Sequence, residues 1–433
     1  MTDADRDALG GGVPRLCLVH GRLIDGLGHP PVEDGFVLVE RGVIAAVGPM
    51  AAFRAPEGAA PRRVDVGGQT VLPGLIDCHA HLVYRGFRSL EDLDRSTVET
   101  ATINAVLNAE AVLRAGYTTV RDVGTIGNVA VAVRDAIAQG KIRGPRVIAS
   151  GRIIGPTAGM GDTLPPHWQH CGGLGVQADG REEIVRVIRR QVRDGVDNVK
   201  LGASGVEVGP YAYTWMTTYG EEEVRAAVAE AHRWGRTVAV HCQSADAAKF
   251  ALRAGADTIE HGTRLDDEAV ALFRAGDTVL VPTLSTLFSV LELGETLNLL
   301  PKHREEMAVN HPLWLESLRR AHAAGVPIAA GGDIGNRYPH GENARELEFL
   351  VRAGLTPLQA IAAATGTAAR ALRRADRLGS LTPGTAADLV VVDGDPLADV
   401  RVLQDAGRLR LVFQGGRLVA GTLAAPSGPG TAR

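Results

Sequence analysis

The chain has 433 residues, 45% of them hydrophobic, enough for one large buried core or two to three ordinary domains, so it reads as a globular, enzyme-sized protein. Its 46 Lys and Arg against 50 Asp and Glu leave a formal net charge of -4, which excludes a general electrostatic pull toward nucleic acid or anionic membranes. No run of about 18 uncharged apolar residues offers a membrane span, and the acidic, polar start Met1–Asp7 lacks the basic and apolar parts of a secretory signal, so a cytoplasmic protein is expected.

From about Arg15 to Thr70 the sequence predicts short strands, Leu16–Val19, Phe36–Glu40 and Val43–Val47, separated by turn signals at Asp25-Gly26, Asp34-Gly35 and Arg41-Gly42. The same signature returns at Ala387–Asp393 and Leu411–Val419. Neither part is large enough to bury a core alone, so residues 1–70 and 377–433 are expected to pair into one small β-sandwich. Over residues 71–376 short β-branched runs alternate with amphipathic stretches of helical length. The runs are Val71–His81, Thr118–Asp122, Arg146–Ser150, Asn198–Leu201, Thr237–His241, Thr258–His261, Thr278–Thr283 and Val326–Asp333, with helices expected at Arg181–Asp194, Glu221–Trp234 and Arg345–Arg352. Eight βα units argue for an α/β protein built on a (β/α)8 TIM barrel, whose active groups sit at the C-terminal ends of the strands.

Polar residues that look out of place cluster at those strand ends. In Asp77-Cys78-His79-Ala80-His81, residues two apart share a face of a strand, so His79 and His81 can both turn toward one ion. Alone, an H-x-H pair is weak evidence, since two histidines at a loop start would look the same. Lys200, His241, His261 and Asp333 then follow at four further strand ends. A lysine in a buried-strand pattern is expensive unless it is paired or modified. Four imidazoles, a lysine and an aspartate at five strand ends are hard to treat as independent accidents.

This set resembles the amidohydrolase superfamily in its two-metal branch with a carboxylated lysine, and the likeness runs from about Leu16 to Leu418. The resemblance implies that His79, His81 and Asp333 bind one divalent ion, that His241 and His261 bind a second, and that Lys200 carries a CO2-derived carbamate bridging both. It also implies a bridging hydroxide as nucleophile on an amide C–N bond, with Asp333 and Lys200 in the catalytic set. Zinc is the default metal, with manganese, cobalt and iron compatible with the same ligands. The stretch Arg377–Val390 resembles the family's return into its small β-domain.

Tyr338–Leu347 and Ala353–Ala360 are similar to a prolidase-like, imidazolonepropionase-related subgroup, whose expected substrates are N-acyl amino acids, dipeptides and other small molecules. His340 would then lie beside the site, against the alternative of a solvated loop histidine. Two departures stand out. Where the subgroup often has T-G-G-H-G, this chain has Thr157-Ala158-Gly159-Met160-Gly161, and Cys242-Gln243-Ser244 follows His241. Met160 and Gln243 are therefore candidate substrate contacts, Met160 equally a packing residue. Tyr211, Tyr213 and Tyr219, with Trp215, are candidate pocket walls or a packed lid. The runner-up is a one-metal deaminase or cyclic-amide hydrolase, or an esterase or carbamate hydrolase, of the same superfamily. A nucleic-acid binder is disfavoured by the charge balance, and relatives of this kind often form homo-oligomers. Cys17, Cys78, Cys171 and Cys242 are expected as free thiols, Cys171 without a role.

Overall fold

The computed structural model describes residues 15–423 except 57, 59, 87–89, 164–172, 207–208, 294–300 and 336. Cys171 lies outside the described residues, while Cys17, Cys78 and Cys242 are buried free thiols. No helix among the described residues is long and apolar enough to cross a membrane.

The strands in chain order are β1 (Leu16–Leu23), β2 (Val32–Glu40), β3 (Val43–Pro49), β4 (Arg62–Asp65), β5 (Thr70–Pro73), β6 (Leu75–Ala80), β7 (Tyr117–Asp122), β8 (Arg146–Ala149), β9 (Ile153–Gly155), β10 (Gly175–Gln177), β11 (Asn198–Gly202), β12 (Thr237–Cys242), β13 (Thr258–His261), β14 (Val279–Val281), β15 (Leu389–Val392), β16 (Leu409–Gln414) and β17 (Arg417–Gly421). The two terminal segments do combine, but into one hydrogen-bonded sheet of order β17-β16-β15-β5-β1-β2-β3, with β4 also on β1, where a two-sheet sandwich was expected. The seam is the antiparallel pairing of β5 with β15, Thr70 facing Val392 and Pro73 facing Leu389. Strand alternation gives this sheet two apolar faces. Leu16, Leu18, Val37, Val39, Leu389, Val391 and Phe413 share one cluster, and Cys17, Val19, Phe36 and Leu38 share another.

The middle of the chain is a parallel α/β layer of the TIM-barrel type. The strands β6-β7-β8 form one sheet, and β10-β9-β11-β12-β13-β14 form a second. A bridge between Ser150 and Asn198 links the two on one side. On the other side Leu280 bridges Ile328, and Cys78 N donates to Ala330 O at 2.9 Å and Asp333 N to His79 O at 2.7 Å. The predicted strand at Val326–Asp333 is thus an extended segment pinned on both flanks, without a regular ladder of its own. The helices at Gly180–Arg193, Glu221–Arg233 and Arg345–Ala353 fall where the 3.6-residue pattern places them, each burying an apolar stripe such as Ile184, Val187 and Ile188.

Candidate active site

His79 ends the usable face of β6 and His81 follows two residues later, so both rings turn the same way. His241 and His261 come from the ends of β12 and β13. All four are buried and gather, with ring centroids 5.4 Å apart for His79 and His81, 5.1 Å for His79 and His261, and 4.4 Å for His241 and His261.

Each ring spends one nitrogen on an anchor. His79 Nδ1 donates to Glu260 Oε2 at 2.6 Å, and His81 Nδ1 donates to the Gly124 carbonyl at 2.9 Å. His261 Nδ1 donates at 2.6 Å to Thr283 Oγ1, a hydroxyl whose own proton goes to the Pro282 carbonyl. His241 reverses the pattern: its Nε2 donates to the Gly205 carbonyl at 3.0 Å, and its Nδ1 is buried without a partner among the described residues. A neutral imidazole has one donor and one acceptor nitrogen. These anchors therefore leave a lone pair on Nε2 of His79, His81 and His261 and on Nδ1 of His241, the form in which imidazole ligates a metal. Burial, reinforced by the Lys200 charge, holds the rings neutral, pushing His81 and His241 down to about 3.

Asp333 reaches the same point from the extended segment. Its Oδ1 lies 3.4 Å from His81 Nε2 and 3.7 Å from His79 Nε2, and its Oδ2 accepts the Thr286 hydroxyl at 3.0 Å. The candidate ligand atoms of His79, His81 and Asp333 lie within 4.8 Å of one another, a group able to hold a metal ion. Burial raises the Asp333 carboxyl to about 6, against the pull of the Lys200 charge. Lys200, central in β11, is fully buried, and its Nζ has no hydrogen-bond partner among the described residues. Burial lowers its pKa to about 8, and its charge bears on all four imidazoles. Four lone pairs, a carboxylate and an orphaned amine fit divalent cations well; without them the buried His241 Nδ1 and Lys200 Nζ would stay unsatisfied at a cost of about 1–3 kcal/mol each.

Several supporting residues were missed by sequence reasoning. Arg121, buried in β7, donates Nη2 to Glu260 Oε1 at 2.8 Å and Nε to the Cys78 carbonyl at 2.7 Å, so it fixes the position of the Glu260 side chain that orients His79. Asp77 accepts from His79 N, Gly332 N and Asn343 Nδ2, tying the β6 end to the Asp333 segment. The available signal was charge inside apolar strands, an arginine in Thr118–Asp122 and a glutamate beside His261. At Gly331 a Cβ would lie 2.7 Å from His79 Cβ, so only glycine lets this segment pass the ligand. His261, Thr283 and Asp333 adopt positive φ of 69°, 50° and 47° without being glycine, strain of about 1 kcal/mol or more each that is concentrated at the site.

The site opens into a pocket walled by Tyr84, Ile153, Met160, Leu174 and Val206, with Asp94, Thr163, Thr286 and Arg337 as further polar lining. Tyr84 stacks on His81 at 4.4 Å. Met160 reaches the pocket because β11 passes beneath it as Gly202, where a Cβ would lie 2.7 Å from Met160 Cβ. The other expected substrate contacts are placed elsewhere. His340 stands behind His81, its Nε2 at 3.0 Å from the His81 carbonyl, and does not line the pocket. Tyr219 is buried with its hydroxyl on the Ala178 carbonyl, and Gln243 is fully buried with its backbone N–H on Ser204 Oγ. Tyr211 and Tyr213 are exposed, Tyr213 stacking on Trp215 at 6.2 Å.

Comparison with known proteins decides the family. The sequence profile described as the amidohydrolase family matches residues 70–419. The chain belongs to the amidohydrolase family. This amidohydrolase is 31% identical to ochratoxinase of Aspergillus niger, over 94% of its own length and 87% of that protein. It is 26% identical to imidazolonepropionase of Geobacillus kaustophilus, covering 90% of each chain. Among solved structures it is similar to a Xaa-Pro dipeptidase with bound methionine in the active site, at a TM-score of 0.84 and 32% identity over 93% of this chain and 99% of that one. These likenesses put the amidohydrolase in the prolidase-like subgroup that its motifs resemble.

Proposed function

We propose that this amidohydrolase hydrolyses an amide C–N bond of a small molecule, an N-acyl amino acid or a dipeptide, with two divalent ions, zinc by default, bound at the ends of a closed (β/α)8 barrel whose eighth strand is the segment 326–330. His79, His81 and Asp333 would hold one ion, His241 and His261 the other, and Lys200 would lie between them as a carbamate. The observation that carries this reading is the hydrogen-bond pattern that leaves one lone pair on each of four converging neutral imidazoles, beside a buried amine with no partner. The family membership and the dipeptidase neighbour support an amide or peptide bond as the target.

When bound, two adjacent cations lower the pKa of a shared water toward neutrality and polarise a carbonyl oxygen. The protein supplies the rest. Asp333 accepts the proton of the attacking water and returns it to the leaving nitrogen, while the Thr286 hydroxyl fixes its orientation. Burial keeps a fraction of Lys200 as free amine near neutral pH, the form that can add CO2, and the resulting anion balances the cations better than an ammonium. Ile153, Met160, Leu174 and Val206 exclude water from the acyl side.

A one-ion hydrolase is the second reading, favoured by the tight group that His79, His81 and Asp333 form by themselves. The deciding experiment is reconstitution with zinc and bicarbonate, followed by metal analysis, native mass spectrometry and a screen of N-acyl amino acids, dipeptides, lactams and esters. Two ions per chain with bound CO2 and hydrolysis of an amide are expected. One ion per chain without CO2 supports the second reading, and ester cleavage alone would overturn the amide assignment.

A further inference from the structure

Arg337 is the one permanent cation among the described residues that line the pocket. Nearby arginines have partners: Arg121 is clamped by Glu260, and Arg345 pairs with Glu342 at 2.5 Å and covers the Tyr338 ring. Arg337 differs. Among the described residues its hydrogen bonding is a single long donation, Nη1 to the Thr286 carbonyl at 3.4 Å, with no carboxylate at ion-pair distance. A partly buried guanidinium with most of its five donors unused, facing a pocket whose apolar wall is Ile153, Met160, Leu174 and Val206 and whose carboxylates, Asp94 and Asp333, stand beyond ion-pair distance of it, is arranged to receive an anion.

Thr286 locates that anion relative to the chemistry. Its hydroxyl donates to Asp333 Oδ2, and its carbonyl accepts from Arg337. The guanidinium therefore stands one residue's width from the carboxylate assigned to protonate the leaving nitrogen. We infer that Arg337 determines specificity by binding a carboxylate carried on the amine half of the substrate, a bond or two from the scissile nitrogen. This rests on the hydrolase reading above for its direction. It selects, among amides, those that release a free amino acid, and it places the apolar group of the substrate against the Met160 wall. Lysine would be a partial substitute, because a carboxylate is matched by a planar fork better than by a point charge.

The test compares acids with their neutral twins. Zinc-loaded wild type, Arg337→Leu and Arg337→Lys are assayed on N-benzoyl-L-amino acids and the matching C-terminal carboxamides. In parallel, binding of free L-amino acids and their carboxamides is measured by calorimetry. Wild type should prefer the acid by about 10²-fold in kcat/KM, the preference should vanish in Arg337→Leu mainly through KM, and Arg337→Lys should recover part of it. An unchanged preference in Arg337→Leu, or none in wild type, overturns the inference. If nothing is hydrolysed, the hydrolase reading fails and calorimetry decides the role of Arg337. Acid-selective binding lost in Arg337→Leu sustains it, and equal affinity for acid and carboxamide overturns it.

Discussion

Asp333 is asked to do two things, and the two can be separated experimentally. Asp333→Asn keeps one oxygen for the cation, turns the other into an NH2 that cannot accept the Thr286 hydroxyl, and cannot take a proton. With zinc saturating, kcat should fall by about 10²–10⁴-fold while metal content stays near that of wild type; near-normal kcat would remove Asp333 from proton transfer. Glu260 acts at one remove, because it touches His79 and not the pocket. Glu260→Gln weakens the orientation of His79 and leaves Arg121 buried without its anion, so zinc affinity in a chelator competition should drop by about 10–100-fold. Unchanged affinity would make the Arg121–Glu260 pair a packing feature only. The sequence made the ligands legible because histidine and lysine at strand ends are conspicuous. It hid Arg121 and Glu260 because a charge that is fully paired inside a strand leaves no trace in a periodicity count.

At the scale of elements, the helix Leu284–Leu293 depends on a remote carboxylate. Glu346 accepts from Leu284 N at 2.9 Å, Ser285 N at 2.7 Å and Ser285 Oγ at 2.7 Å, and is itself buried. Those first-turn N–H groups have no partner within the helix, so Glu346→Ala should cost about 2–4 kcal/mol in chemical unfolding, and a loss below about 0.5 kcal/mol would show that water replaces the cap. Burial raises the Glu346 carboxyl to about 8, above the value of an unfolded glutamate. The native state therefore holds this proton more tightly, and the stability it confers is complete below about pH 4.5 and is lost as pH rises toward 8. Glu346→Gln should flatten that part of the stability profile, whereas an identical slope in the variant would assign it to other groups such as Asp122, which burial also raises. Regular elements were legible from period alone: the helices at 180–193, 221–233 and 345–353 and the strands β7, β8, β11, β12 and β13 fall within a residue or so of expectation. The segment 326–333 was not, since its glycines and positive-φ aspartate serve close approach and ligand aim at the expense of a strand ladder.

For the molecule as a whole, metal and fold are expected to be coupled. Removing ions leaves the Lys200 amine and the His241 Nδ1 lone pair buried without partners, so the chelated protein should melt well below the zinc-loaded one. Ions present at about a thousandfold their dissociation constant contribute about 4 kcal/mol. Calorimetric melting with and without chelator measures this, and equal Tm values would show that the cluster is satisfied without metal. The general layout, terminal β segments flanking a parallel βα core, was legible because period-2 and period-3.6 patterns are local. That the two terminal segments join was legible too, but their joining edge to edge in a single sheet was not, because which edges meet is decided by packing between distant segments. That union has a consequence for biosynthesis. Thr70 Oγ1 donates to the Gly394 carbonyl, 324 residues further on. While the chain is being made, β5 can pair with β1 on one side, but its other edge must wait until Leu389–Val392 has left the ribosome. That exposed edge is the natural place for a chaperone to hold the nascent chain and for truncated products to aggregate.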